Sequence, residues 1–154
     1  MLIDSHCHLN FAELSKDINF YLEQMQLNDV QYALCISTTL KNIPDVVKLA
    51  DDHLNLFASV GVHPDEIEIG QPEITESDLL TYTNNPKVIA IGETGLDYFH
   101  LEQESDKQIQ HRRFITHINV ARTTDLPLVI HTRQSIDDTL DLMKEYKAHQ
   151  WQLL

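Results

Sequence analysis

The sequence predicts an α/β protein with a parallel sheet, and within that class it favours a TIM-type β/α barrel over an open doubly wound sheet. Short β-rich runs alternate with longer helical patterns at about 30 residues per unit, which is typical of parallel strands joined by crossover helices. Polar residues follow the ends of the predicted strands, where β/α barrels build their sites. An open sheet would usually carry a Gly-rich phosphate loop after its first strand, and this chain has His-Cys-His-Leu-Asn there.

Alternating runs divide the chain into strands, each followed by a helix. The predicted strands are Leu2 to Ser5, Gln31 to Ser37, Leu56 to Val62, Val88 to Gly92 and Leu128 to Ile130. The predicted helices are Ser15 to Asn28, Pro44 to His53, Glu76 to Thr83, Glu104 to Thr123 and Ile136 to Ala148. Thr75 stands before Asp78 with the spacing of a capping pair. Ser135 precedes Asp138 in the same way.

Length and composition limit the class of protein. With 154 residues and 42% hydrophobic content the chain suits one globular domain, 1–154. Eight barrel strands at this spacing require about 250 residues, so we expect about five of eight units and a domain truncated at its carboxyl end. There is no apolar run of about 18 residues and no signal-like segment after Met1, so we expect a cytoplasmic protein that does not enter a membrane. Cys7 and Cys35 are expected to be reduced and packed.

The net charge of −13 argues against broad adhesion to nucleic acid through a positive surface. It does not exclude a nucleic-acid substrate. A site with two divalent ions carries about four positive charges of its own, which can outweigh an acidic surface screened over about 8 Å.

Two histidines end the first predicted strand. Side chains alternate along a strand, so His6 and His8 point to one side and Cys7 to the other. Two neutral imidazoles at one strand tip can hold a metal ion, and this pair predicts a metal site.

A carboxylate follows the fourth predicted strand. Glu93 lies between Gly92 and Gly95, and glycines allow a close approach of backbone or ligand. A carboxylate can bridge two ions about 3.5 to 4 Å apart, which makes Glu93 the candidate catalytic bridge. Asp97, further into the predicted loop, is of a type that more often serves a turn or a cap.

Other strand ends carry further polar candidates. His131 and Arg133 share one side of an extended segment after the fifth strand, and imidazole suits a metal as a guanidinium suits a phosphate. An ion pair with an acidic neighbour is the alternative for Arg133. His63 is positioned for substrate or proton handling, or as a buried hydrogen-bond partner. Structural roles are expected for the remaining histidines, which are His53, His100, His111, His117 and His149. Tyr98 and Phe99 are predicted either to cover the core or to form a wall of a substrate pocket.

Four segments together resemble the TatD family of metal-dependent hydrolases. They are Asp4-Ser5-His6-Cys7-His8, Gly61-Val62-His63-Pro64, Ile91-Gly92-Glu93-Thr94-Gly95-Leu96-Asp97-Tyr98 and Leu128-Val129-Ile130-His131-Thr132-Arg133. They occur in the family's order and cover nearly the whole chain. The resemblance implies a β/α barrel of the metal-dependent hydrolase superfamily that hydrolyses phosphodiester bonds, with DNA as the best-known substrate.

The resemblance also implies two divalent ions, Mg²⁺, Mn²⁺ or Zn²⁺. By motif, His6 and His8 would hold the first ion, Glu93 would bridge both, and His131 would help to hold the second. His63 and Arg133 would contact the substrate phosphate.

The chain departs from the family in one respect. TatD-like proteins supply a further His after the sixth strand and a late Asp that binds metal and accepts a proton, and this sequence has neither. We therefore expect weak metal binding, poor or absent DNA hydrolysis, and open sheet edges that favour self-association. One alternative is a non-catalytic metal-binding half-barrel that assembles with itself or another chain. Another is an amidohydrolase with a carboxylated lysine, which Glu93 at the lysine's place disfavours.

Overall fold

Five parallel strands form one sheet in the computed structural model, which describes residues 1–66, 73–99, 101 and 103–148. The strands are β1 (Leu2–Cys7), β2 (Val30–Cys35), β3 (Leu56–Val60), β4 (Val88–Asp97) and β5 (Leu128–Arg133). They pair in chain order, β1-β2-β3-β4-β5. This order has no reversal, whereas a doubly wound sheet reverses at its switch point. The predicted barrel-type arrangement with about five units is confirmed.

Six helices lie between or after the strands within the described residues. They are α1 (Ala12–Ser15), α2 (Ile18–Leu27), α3 (Ile43–Asp52), α4 (Glu76–Leu80), α5 (Glu104–Thr124) and α6 (Ile136–Glu145). The first predicted helix is divided, because Asp17 leaves the helical conformation with φ −118° and ψ 33°. Its carbonyl then accepts the N–H of Phe20 at 2.9 Å and begins α2.

Strand β4 extends beyond the Gly92 end that the sequence predicted, and it continues to Asp97. Gly92 and Gly95 have φ of 140° and 131°, where a side chain is strained, and a Cβ on either would overlap the backbone of β5. These glycines therefore lie inside the strand and allow β5 to approach. Pairing continues to the register of Asp97 with Arg133, so β5 also exceeds its predicted end.

Of the two predicted capping pairs, one is confirmed and one is wrong. Thr75 and Asp78 form a reciprocal capping box at α4. Ser135 makes no side-chain cap at α6. Its hydroxyl instead donates to the carbonyl of Leu96 at 2.7 Å, and Asp138 accepts from the Tyr98 hydroxyl at 2.6 Å. Both groups connect α6 to the end of β4.

Apolar side chains pack on both faces of the sheet. The larger cluster lies between the sheet and the helices, and its fully buried members include Ile43, Leu56, Leu79, Phe114 and Ile118. A smaller cluster is formed by Leu34, Ile36, Ala90 and Val129, with Phe57 against it. Cys35 is buried and Cys7 is partly buried, and their sulfur atoms lie 3.8 Å apart without a disulfide in this structure.

The outer edge of β1 is exposed in the described part of the chain. β1 pairs with β2 alone there, and β5 with β4 alone. Leu2 and Ile3 are 59% and 61% exposed. No helix within the described residues combines the length and apolar character that crossing a membrane requires.

Candidate metal centre

Side chains from β1 and β5 converge on Glu93 of β4. His6 Nε2 lies 3.4 Å from Glu93 Oε2, and His131 Nδ1 lies 3.4 Å from Glu93 Oε1. His6 is on β1 and Glu93 on β4, with β2 and β3 between them. In a flat sheet, three strand spacings of about 4.8 Å would separate them by about 14 Å. The sheet is therefore curled around this point, as closure of a barrel requires.

Two groups of three side chains in the described residues could each hold a metal ion, and both include Glu93. One is His6, His8 and Glu93, and the other is His63, Glu93 and His131; the ligand atoms within each lie within 4.8 Å of one another. Imidazole nitrogens with a carboxylate suit zinc, manganese and related divalent ions. A shared carboxylate also suits a pair of ions. The donor set thus fits the predicted cofactors.

His8 has its ring orientation set by the backbone. Its Nδ1 lies 3.2 Å from the carbonyl oxygen of Ile36, which can only accept, so Nδ1 carries the proton. Its ring also stacks on Phe11 at 4.8 Å between centroids. The Nε2 lone pair is left for an ion, in the arrangement common to histidine ligands.

His131 is oriented by Asp97. Its Nε2 lies 2.8 Å from Asp97 Oδ2, which leaves Nδ1 directed at Glu93. The hydrogen bond to Glu93 is the main cause that raises the pKa of His131, and Asp97 adds to it. Asp97 is 1% exposed; burial would raise its pKa, but the Phe99 N–H and His131 outweigh this and lower it.

The role of Asp97 differs from the turn or cap role that its residue type suggested. Its Oδ1 does accept the N–H of Phe99 at 2.9 Å, as in a turn, but its other oxygen holds His131. If the fourth strand had been predicted to continue to Asp97, the alternation of side chains would have placed Glu93 and Asp97 on the same face of the sheet.

Glu93 is ionised at neutral pH although it is only 9% exposed. Burial would raise its pKa, but the His131 hydrogen bond and the neighbouring imidazole of His6 lower it overall. A charged carboxylate at this depth needs positive partners, because an unpaired buried charge is costly. The ionised carboxylate of Glu93 therefore gives the site a negative charge that a bound cation can balance.

His63 is neutral at pH 7. Burial is the main cause that lowers its pKa, and His131, whose ring centroid is 4.4 Å away, lowers it further. Its Nδ1 accepts the Asp65 N–H at 3.2 Å, so Nε2 carries the proton. This tautomer gives His63 a donor for a phosphate oxygen. To act as a metal ligand beside Glu93, the ring would have to give up either the Nε2 proton or the hydrogen bond from Asp65.

Arg133, the second predicted phosphate contact, packs its guanidinium 3.7 Å above the ring of Phe99. The sequence left an ion pair with an acidic neighbour as the alternative for Arg133. In the described structure the guanidinium contacts the Phe99 ring instead. Phe99 is 49% exposed, so the pair forms a partly open wall beside Asp97. Tyr98 has a different role, because its hydroxyl bonds to His111 and Asp138.

Other histidines fall into the structural roles expected of them, where they are described. His111 bonds the Tyr98 hydroxyl at 2.6 Å. His117 is fully buried, accepts the Val62 N–H at Nε2 and donates from Nδ1 to the backbone carbonyl of Arg113. His100 and His149 lie outside the described residues. The sequence did not mark Gln110 and Arg113 of α5. Gln110 contacts the end of β4 at Asp97, and Arg113 contacts the segment after β3 at His63.

The curled parallel sheet, with imidazoles and a shared carboxylate at the carboxyl ends of its strands, defines a protein of the β/α-barrel class with a candidate metal centre. A family model described as TatD related DNase matches residues 3–153. The chain belongs to the TatD family.

Sequence relatives agree with this assignment. An uncharacterized metal-dependent hydrolase of Buchnera aphidicola is 39% identical over 152 residues, which cover 97% of this chain and 56% of the relative. The metal-dependent hydrolase YcfH of Escherichia coli, also uncharacterized, is 36% identical over 96% of this chain and 55% of its own length. The chain thus spans little more than half of these relatives.

Solved structures show the same fold. The TatD homologue YjjV of Escherichia coli superposes with a TM-score of 0.86 at 26% identity, over 97% of this chain and 57% of that one. A TatD-family hydrolase of Entamoeba histolytica gives a TM-score of 0.85 at 27% identity, over 97% and 56%.

Proposed function

We propose that this chain provides the metal-binding half of a TatD-type phosphodiesterase that acts on DNA. The observation that carries the proposal is that Glu93 belongs to two ligand groups at once, as a carboxylate bridging two divalent ions would. The match to a family described as TatD related DNase supports DNA as the substrate.

Each side chain has a distinct task in this proposal. Bound divalent ions supply Lewis acidity and an activated water. Glu93 would contribute to holding both ions. His6 and His8 would complete one group, and His131 would contribute to the other, which also includes His63. The Ile36 carbonyl and Asp97 keep the two imidazoles in the tautomers that leave a lone pair free for a metal.

His63 and Arg133 bind the substrate phosphate in this proposal. His63 presents an Nε2 proton because its Nδ1 is already an acceptor, and a phosphate oxygen can accept that proton. The guanidinium of Arg133 presents a planar fork of N–H donors that matches a phosphate. Phe99 supports the guanidinium and keeps it near Asp97.

Catalysis by the chain alone is proposed to be weak. The chain spans little more than half of the length of the matched relatives. The resemblance to the TatD family implies that a proton acceptor for the attacking water would come from a strand later than β5. A non-catalytic metal-binding half-barrel is the second candidate, and the exposed apolar edge of β1, where Leu2 and Ile3 lie, favours it.

Metal titration tests the proposed site. Calorimetry or electron paramagnetic resonance with Mn²⁺ should find two ions per chain, Glu93→Gln should weaken both sites, and His8→Ala should weaken one. His53→Ala is the matched control, because His53 ends α3 and is in neither group. Failure to bind Mn²⁺, or equal losses in the control, contradicts the proposed site.

A nuclease assay on labelled single-stranded DNA tests the activity separately. We expect little or no Mg²⁺- or Mn²⁺-dependent cleavage by the purified chain. Fast turnover that Glu93→Gln abolishes would confirm the phosphodiesterase and contradict the proposed weakness. Turnover that survives Glu93→Gln would show a contaminating nuclease.

A further inference from the structure

A stripe of buried polar side chains runs along α5, outside the metal groups. Gln110 and His117 are 0% exposed, and Arg113 is 4% exposed. Spacings of three and four residues place them on one face of the helix. Burying polar groups is costly unless they are hydrogen-bonded, and each of these three bonds to the backbone at or just beyond the end of a site strand.

Gln110 holds the end of β4. Its Oε1 accepts the Asp97 N–H at 2.8 Å, and its Nε2 donates to the Asp97 carbonyl at 2.8 Å. The side-chain amide of Gln110 thus bonds through both its oxygen and its nitrogen to the backbone of Asp97. Because the Asp97 carboxylate holds His131, Gln110 fixes the backbone from which His131 is oriented.

Arg113 holds the segment that carries His63. Its Nη1 donates to the His63 carbonyl at 2.8 Å, while Nε and Nη2 donate to the two oxygens of Glu73 at 2.8 and 3.0 Å. His117 accepts the N–H of Val62 at 3.0 Å. The backbone on both sides of the His63 side chain is therefore anchored to α5.

The anchors matter because His63 lies beyond the last residue of β3, Val60. Strand pairing ends before it, and its own N–H bonds to the Thr38 carbonyl at 2.8 Å. The stripe adds the contacts from the helical side. It joins His63 and the Asp97–His131 pair to one rigid element.

We propose that Gln110, Arg113 and His117 are positioning residues that set His63 against His131, so that the phosphate contact and the second ion group are aligned. This proposal rests on the proposed function, because that function is what gives His63 a phosphate to contact and His131 an ion to hold. None of the three residues touches the ions or the substrate in this scheme. They act through the backbone of residues 62–64 and 97.

Arg113→Lys tests the proposal, because an ammonium group cannot reproduce the guanidinium fork. Arg112→Lys is the matched control, since Arg112 is the exposed neighbour on the same helix. Long-range ¹H–¹⁵N spectra of the metal-free protein report the tautomer of His63. We expect the Nε2–H form in the unaltered chain and in Arg112→Lys, and an average of both tautomers in Arg113→Lys.

Ligand binding gives a second readout. In Arg113→Lys the affinity for inorganic phosphate in the presence of Mn²⁺ should fall about tenfold, as for other supporting residues of metal sites. Binding of Mn²⁺ at the His6, His8 and Glu93 group should change by less than about twofold, since the stripe does not contact that group. In a His63→Ala background, Arg113→Lys should cause no further loss of phosphate affinity.

Either of two results overturns the positioning role: an unchanged His63 tautomer signal in Arg113→Lys, or an equal loss of phosphate affinity with and without His63. If Arg113→Lys does not fold, Glu73→Gln is used, which leaves Arg113 present but removes the carboxylate that fixes its fork. Failure of the unaltered chain to bind phosphate counts against the proposed function instead, and the tautomer signal then decides the positioning role.

Discussion

The histidines His8 and His131 use different acceptors for their second ring nitrogen. His8 donates to a neutral backbone carbonyl, that of Ile36, and His131 donates to the carboxylate of Asp97. A carboxylate acceptor makes an imidazole a more basic ligand than a carbonyl does. The two groups around Glu93 should therefore differ in affinity, with the stronger electrostatic support at His131.

Asp97→Asn is expected to weaken the ion site at His131 by about 10- to 100-fold, because the amide removes the charge that supports the ligand. Mn²⁺ titration followed by calorimetry measures this. Asp138→Asn serves as the control, since Asp138 bonds Tyr98 and Lys107 instead of a site histidine. Equal affinities for Asp97→Asn and the unaltered chain would show that Asp97 does not support a ligand.

His117 should make stability depend on pH. Burial lowers the pKa of His117 from 6.5 to about 4. The unfolded chain therefore takes up the proton first as pH falls, so this contribution is complete above pH 6.5 and is lost towards pH 4. Its full size is about 3 kcal/mol of unfolding free energy.

Urea unfolding at pH 7 and pH 4.5 measures this effect in the unaltered chain and in His117→Gln. Acidic groups also lose stability as pH falls, so the difference between the two chains is the useful quantity. The penalty of His117→Gln should shrink at the lower pH. A penalty that is constant with pH would mean that His117 does not titrate between these values.

At the level of secondary structure, local signals predicted where most elements lie but not where the site strands end. Glycines usually end strands, so β4 was predicted to stop at Gly92. The true end depends on β5, because Gly92 and Gly95 are the positions at which the β5 backbone approaches. That approach joins segments far apart in the chain, and no local pattern encodes it.

The same distinction explains which site residues were predicted. His6, His8, Glu93 and His131 lie at strand ends with apolar runs before them, which is a local pattern. Gln110 and Arg113 lie on a helix whose sequence mixes polar and apolar residues all round. Their partners are backbone groups of other elements, so their role is visible only in the folded structure.

Gly95→Ala should be strongly destabilising. The new Cβ would overlap the carbonyl of His131 at a φ of 131°, and β4 and β5 would have to separate. A loss of more than about 2 kcal/mol in unfolding free energy is expected, together with weaker Mn²⁺ binding. Circular dichroism during urea unfolding measures the first effect. An unchanged midpoint would show that β5 can move away at little cost.

In the described molecule as a whole, the strands of the curled sheet differ in how well other elements cover them. Helices cover one face of β2 to β5, while β1 has exposed residues along almost its entire length. Unpaired strand edges favour association with another chain. The solved TatD homologue that matches 97% of this chain is itself longer, since this chain covers 57% of it.

Ile3→Lys should reduce self-association of the purified chain. Ile3 is 61% exposed on β1, and a charge there opposes edge-to-edge pairing. Sedimentation velocity over a range of concentrations measures the effect. Leu54→Lys is the control, because Leu54 is 93% exposed but precedes β3. Equal effects of both substitutions would point to general charge repulsion instead of pairing at β1.

The curl that brings His6 to Glu93 also has a consequence for the order of folding. The group of His6, His8 and Glu93 combines residues at β1 and β4, and β2 and β3 lie between these two strands in the sheet. Such long-range closure is slow compared with helix formation. In stopped-flow refolding, Mn²⁺ binding at the group that includes His6 and Glu93 should therefore lag behind the far-ultraviolet signal. The time of Mn²⁺ binding would then report the last stage of sheet assembly.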